Sequence, residues 1–175
     1  MDTSETGLEK IIVDWLRDKN GYEQATPHDY NKTFALVESW VERFVTATQP
    51  DKVKESMCFA SPSERLKFFT RLSGEIGKRG VVDVLRKGYK FNGNTFDLYY
   101  PIPSQLNPSA KAAYKQNIFG VIRQVMYSTQ NTNEIDFVVF INGLPLATFE
   151  LKNSYTGQTY ENAISQYQTD RDPKE

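Results

Sequence analysis

The stretch Asn133-Glu134-Ile135-Asp136-Phe137-Val138-Val139-Phe140-Ile141-Asn142-Gly143-Leu144-Pro145-Leu146-Ala147-Thr148-Phe149-Glu150-Leu151-Lys152-Asn153 reads as two strand-like runs joined by a turn. Asp136 stands on the first run, and an acid-x-lysine triplet, Glu150 to Lys152, closes the second. Strand side chains alternate with a period of two, so Glu150 and Lys152 project to one face while Phe149 and Leu151 project to the other, into a core. Two carboxylates converging from neighbouring strands suit Mg²⁺, which takes hard oxygen ligands and keeps several waters beside one or two protein carboxylates. Such an ion polarises a phosphoryl oxygen and lowers the pKa of a bound water during in-line attack on a phosphodiester. Lys152 adds an ammonium that orients the attacking water or offsets transition-state charge. The same residue types also occur on solvated strand faces with no chemistry, so spacing alone leaves both readings open.

Strand parity gives the pattern a geometric test. A two-residue loop at Asn142-Gly143 with regular strands would set Asp136 opposite Phe149, on the wrong face for Glu150. For 136 and 150 to become partners the loop must have an odd length, or one strand must carry a bulge. The expectation here is a three- or five-residue connection that includes Leu144, with Pro145 at a strand start or edge where its missing N–H is tolerated.

Outward from this pair, Asn117 to Tyr127 is rich in β-branched and aromatic residues and reads as a long neighbouring strand. Thr159 to Thr169 reads as the last helix. Upstream, Pro108 to Lys115 is a short helix, and Tyr89–Phe91 and Thr95–Tyr100 flank Asn92-Gly93-Asn94 as a hairpin. Val81 to Lys87 is a helix stopped by Gly88, and Ser61-Pro62-Ser63-Glu64 is a helix start leading into Leu66, Phe69, Leu72 and Ile76. Ala35 to Thr46 is a helix with Leu36, Trp40, Phe44 and Val45 inward, ending before Gln49-Pro50. Residues 22 to 32, with the lone His28, read as loop. Thr6 and Glu9 are spaced as a capping box for a first helix over 6 to 19, whose Leu8, Ile11, Ile12, Trp15 and Leu16 recur at helical spacing.

With 175 residues, 39% hydrophobic and 13% aromatic, the chain has material for one domain with a sizeable core. No apolar run approaches the roughly 20 residues that span a bilayer, and the N-terminus lacks the basic-then-apolar pattern of a secretory signal. The expected setting is cytoplasmic, with no membrane partner. One cysteine, Cys58, excludes an internal disulfide, and one cysteine with one histidine argues against structural zinc. The net charge of −1 is low for a free-standing DNA binder, although basic residues cluster at Lys78-Arg79 and Arg86-Lys87-Gly88-Tyr89-Lys90. Gly74-Glu75-Ile76-Gly77-Lys78-Arg79 lacks the spacing and the Ser/Thr of a phosphate loop, so no nucleotide-binding residues are assigned.

Nearly the whole chain resembles the N-terminal nuclease domain of the restriction (R) subunit of type I restriction-modification enzymes. The resemblance is carried by Ser4-Glu5, Ala47-Thr48-Gln49-Pro50, Val82-Asp83-Val84-Leu85-Arg86-Lys87-Gly88, Phe140-Ile141-Asn142-Gly143-Leu144-Pro145 and Glu150-Leu151-Lys152-Asn153. It continues through Thr156-Gly157-Gln158-Thr159 and Ala163-Ile164-Ser165-Gln166-Tyr167 to Thr169-Asp170-Arg171-Asp172-Pro173. It implies an α/β (mixed α+β) restriction-endonuclease-like core of the PD-(D/E)xK type, a central mixed sheet flanked by helices. Residues 1–88 would then be a mainly helical part, and 89–175 the nuclease sheet with its following helix, within a single domain of a much larger subunit. Asp136, Glu150 and Lys152 match the family's catalytic acid, acid and lysine, with Asp136 and Glu150 on Mg²⁺. Many such nucleases draw a further acid from the first helix; Glu9 is the choice over Glu5, against the alternative of an ordinary helix charge. The family also carries a glutamine and a tyrosine four residues apart near the DNA backbone. Tyr167 fits the tyrosine, but Ala163 stands at the glutamine position, with Gln166 as a substitute.

The implied activity is Mg²⁺-dependent cleavage of unmodified double-stranded DNA. It would proceed in a complex with methylation and specificity subunits, whose motor domains, absent from this chain, use ATP. Two alternatives stand beside it: an assembly or regulatory module with a silent nuclease centre, and a stand-alone repair or junction nuclease.

Overall fold

Phe119–Met126 (β4) and Glu134–Ile141 (β5) form the two inner strands of a four-stranded sheet, since each presents apolar side chains to both faces. The structure is a computed structural model that describes residues 5–103, 107–152 and 159–169. Around β4 and β5 the sheet has the order β1-β4-β5-β6, with β1 at Glu23–Ala25 and β6 at Leu144–Phe149. β1 runs parallel to β4, whereas β4, β5 and β6 are mutually antiparallel, so the sheet is mixed. Among the described residues seven α-helices surround it: α1 (Glu5–Asn20), α2 (Glu38–Thr48), α3 (Pro50–Ser56), α4 (Pro62–Arg79), α5 (Val81–Lys87), α6 (Pro108–Tyr114) and α7 (Tyr160–Thr169). A separate hairpin pairs β2 (Tyr89–Phe91) with β3 (Asn94–Phe96). The mixed α+β architecture is the one expected.

Each face of the sheet is covered by a different helix. Val13 of α1 packs with Val121, Phe137 and Val139 on one face. On the other, Trp40 of α2 lies over Gly120 of β4, where an added Cβ would fall 2.2 Å from the indole, and meets Phe140 edge-on at 5.9 Å. The larger core continues into an aromatic nest around Phe68 of α4, with the rings of Phe59, Phe69, Tyr89, Phe91 and Phe96 all 5.1 to 5.5 Å away. Such edge-to-face pairs add to plain area burial.

The β5–β6 connection departs from the expectation. It is a tight two-residue turn, with Asn142 and Gly143 both left-handed (φ 51° and 87°), the geometry that matches the twist of the flanking strands. The parity is restored by the other route, a bulge. Phe140 pairs with Pro145 and Val139 with Ala147, so Leu146 is the extra residue. Pro145 is the second residue of an edge strand, as expected. Asn142 is fully buried; its amide oxygen accepts from Ile118 N (2.6 Å) and its amide nitrogen donates to Leu98 O (2.9 Å) and Asn117 Oδ1 (3.0 Å). That network competes successfully with a longer loop.

Other expectations need correction. β1 and a short 3-10 helix at Pro27–Asp29 lie in the stretch that reads as loop, because three polar residues give no alternation to detect. α3 has no counterpart among the expected elements. α1 begins at Glu5, which places Thr6 inside the helix rather than at a cap. Its buried stripe is Glu9, Val13 and, in part, Ile12 and Leu16, while Leu8, Ile11 and Trp15 are exposed; Leu66 of α4 is exposed as well. At the start of α4, by contrast, Ser61 Oγ accepts from Glu64 N at 3.2 Å, the cap that its sequence announces. Gly74 to Arg79 lies within the continuous helix α4, not in a loop.

Candidate functional site

The bulge at Leu146 decides where the acids go. The ladder ends at Phe137 opposite Phe149, and Asp136 and Glu150 are the residues next to that last pair on their two segments of chain. β6 ends at Phe149, and the chain beyond it is held by a side chain: Leu151 N donates to Asp136 Oδ2. Asp136 therefore anchors the backbone between Glu150 and Lys152. Lys152 Nζ stands 3.4 Å from Glu150 Oε1, and the pair is well shielded, with 14% and 5% of the two side chains exposed. On the opposite side, Phe137 and Phe149 stack at 4.5 Å with planes 6° apart, and Leu151 joins the cluster around Val13 of α1. Asp136 alternates with Phe137 along β5 and so lies on the face away from α1, where the hydrogen bond from Leu151 N brings the backbone between Glu150 and Lys152 to it.

α7 reaches the same neighbourhood. Tyr167 Oη donates to Thr148 Oγ1 at 3.0 Å, and Thr148 stands on β6 two residues before Glu150 in the chain. Gln166 is half-buried one position earlier on α7, and Ala163, one turn back, is half-buried too. The structure thus brings Tyr167 to the C-terminal part of β6, just before Glu150.

Glu9 is placed differently. Its carboxylate, almost fully buried, takes two hydrogen bonds from Arg123 of β4, from Nε at 2.7 Å and from an Nη at 3.2 Å. This two-pronged contact holds Arg123 firmly charged, the hydrogen bond to Glu9 being the main cause. Glu9 is on α1, the helix on the far side of the sheet. Among the described residues no group of three or more His, Cys, Asp or Glu side chains is close enough to hold a metal ion. Sequence reasoning passes over Arg123, although a lone arginine within Phe119–Met126 signals a buried charge that needs a partner. It also passes over Gln124, which is left-handed (φ 50°) in mid-strand at the register position facing Asp136. A non-glycine residue held in this region costs roughly 1–2 kcal/mol. Such outliers cluster at functional sites.

The donor set suits Mg²⁺, which needs only one or two protein carboxylates and completes its shell with water. Other clefts on the surface are lined by Arg71, Glu75 and Arg79, by Val82, Asp83 and Arg86, and by Ala47, Tyr100 and Gln116, without Asp136 or Glu150 in their walls.

Comparison with known families supplies the context for this geometry. The family described as the type I restriction enzyme R protein N terminus matches residues 2–175. The chain belongs to that family. No curated protein and no solved structure matches it. Family membership accords with the resemblance carried by Glu150-Leu151-Lys152 and the C-terminal helix; its runs at Ser4, at 153–158 and at 170–173 lie outside the described residues. No described helix is long and apolar enough to cross a membrane.

Proposed function

We propose that this R protein N terminus is an Mg²⁺-dependent endonuclease module that hydrolyses phosphodiester bonds of double-stranded DNA. It would act within a restriction complex whose motor domains use ATP and whose other subunits recognise and methylate the target. The observation that carries this reading is the hydrogen bond from Leu151 N to Asp136, which holds the backbone between Glu150 and Lys152 at the Asp136 carboxylate. An ion held by Asp136 and Glu150 would supply Lewis acidity and an activated water. Asp136 does two tasks in this scheme: one oxygen fixes the backbone at Leu151, and the carboxylate as a whole offers charge to the ion. Lys152, paired with Glu150 in the structure, offers its ammonium to the scissile phosphate. Tyr167 and Gln166 on α7 are suited to the DNA backbone alongside.

The test is a cleavage assay of unmodified DNA by the assembled complex carrying Asp136→Ala or Lys152→Ala. Both variants should assemble and hydrolyse ATP yet cut at least about 100-fold more slowly, the scale expected when a group that stabilises transition-state charge is lost. Normal cutting by either would remove this assignment.

A second reading, docking of other parts of the complex, is favoured by Leu8, Ile11 and Trp15, exposed along α1 at 43, 46 and 57%. Trp15→Glu should then impair assembly, measured by co-purification, while leaving the fold intact.

A further inference from the structure

We propose that the cleft between α4 and the β2–β3 hairpin binds the phosphate backbone of duplex DNA, at a surface separate from the acids of the candidate nuclease site. The choice of duplex DNA as occupant rests on the nuclease reading; the cationic site itself rests on the following geometry. Arg71, Glu75 and Arg79 lie four residues apart on α4 and share one face. Across from them, Tyr89 and Phe91 point into the core, so Lys90 points out, with its register partner Thr95 beside it. These walls enclose a cavity of about 300 Å³, and a second of about 520 Å³ adjoins it through the shared Arg79 and Lys87.

Charge in this cleft is unevenly committed. Arg79 is held on all sides, by Glu75 (3.1 Å), Asp83 (2.9 Å) and the carbonyl of Gly88 (2.8 Å), and Lys87 also pairs with Asp83. Both acids of the cleft are thereby neutralised. Arg71, Arg86 and Lys90 are exposed and form no salt bridge with any other described residue. A chain with net charge −1 has therefore gathered uncompensated positive charge around one cleft, from α4, α5 and β2. Arg, Lys and a Thr hydroxyl are the groups that contact phosphate and sugar, fixing position without reading sequence. This is a register for the duplex, not a determinant of specificity.

The experiment is fluorescence anisotropy of a short duplex of arbitrary sequence with the intact protein, in buffer with chelator so that no cleavage occurs. R71A/K90A, together with R71A/R86A/K90A, is compared with K111A/K115A on a different surface. The expected result is at least a tenfold loss of affinity for the cleft variants. The slope of log K against log salt should fall by about 0.9 for each phosphate that is no longer neutralised. Melting midpoints should be unchanged, because all three side chains are exposed. Undiminished binding by the cleft variants overturns the proposal, as does equal weakening by K111A/K115A or no binding by the parent protein. Tighter binding of a single-stranded RNA of equal length, abolished in the same variants, overturns duplex DNA as the occupant. Lys152→Ala is assayed separately with metal: if it still cleaves while the cleft variants have lost binding, the nuclease assignment fails and the cleft stands.

Discussion

Glu9 shows how a single residue can be read in two ways and how the tertiary partner separates them. By position it resembles the helix-borne acid that many nucleases add to their metal site, yet its carboxylate is bound by Arg123 across the face of the sheet. A buried carboxylate is stable there only because a guanidinium meets it, and removing one partner leaves the other uncompensated. Glu9→Ala should therefore lower unfolding free energy by about 3 kcal/mol, read by urea denaturation. At temperatures where the variant remains folded, cleavage by the complex should persist. A Glu9→Ala protein of unchanged stability but no nuclease activity would assign Glu9 to the metal instead. Asp136 carries the converse lesson. Its hydrogen bond to Leu151 N makes it both a structural clasp and a candidate ligand, so Asp136→Asn is the milder probe. The amide oxygen still accepts from Leu151 N while the charge is gone, so cleavage should be lost and the melting midpoint should barely move.

At the level of elements, the β5–β6 hairpin sets the register that ends with Phe137 opposite Phe149, next to Asp136 and Glu150. Two features act together: the left-handed turn at Asn142-Gly143 and the extra residue at Leu146. Gly143 is required by more than its φ, since a Cβ there would meet Val37 O at 2.4 Å, where the start of α2 docks through Val37 N to Gly143 O at 2.9 Å. Asn142 tolerates the left-handed conformation and joins the turn to β4 and to Leu98. Asn142→Ala should cost at least about 2 kcal/mol, because it orphans the buried amide of Ile118 and the carbonyl of Leu98. Equilibrium denaturation checks the magnitude, and unchanged stability would mean that another register is accessible. The helix elements behave more simply. α4 and α5 start and stop where Ser61, Gly80 and Gly88 place their ends, since capping is a local matter.

Across the whole molecule, burial of tyrosines ties stability to pH. Burial pushes Tyr30 up to about 12 and raises Tyr89, whose hydroxyl donates to Phe68 O inside the aromatic nest. Above the ordinary tyrosine value of 10.0 the unfolded chain releases these protons while the folded chain keeps them. The folded state then binds more protons, and stability falls as pH rises. Thermal midpoints should hold below pH 10 and decline between about 10 and 12. Tyr89→Phe should weaken that decline, and an unaltered pH profile in this variant would show that Tyr89 does not contribute. The sequence by itself determined the helices other than α3, the two inner strands, the β2–β3 hairpin and the acid, acid and lysine pattern, because periodicity, caps and turn residues act over a few positions of chain. Only the tertiary structure decided that the turn is tight and the bulge restores parity, that β1 forms from Glu23-Gln24-Ala25, and that Glu9 meets Arg123. Those outcomes depend on groups far apart in sequence competing for the same buried hydrogen bonds and charges, a competition that no local pattern records.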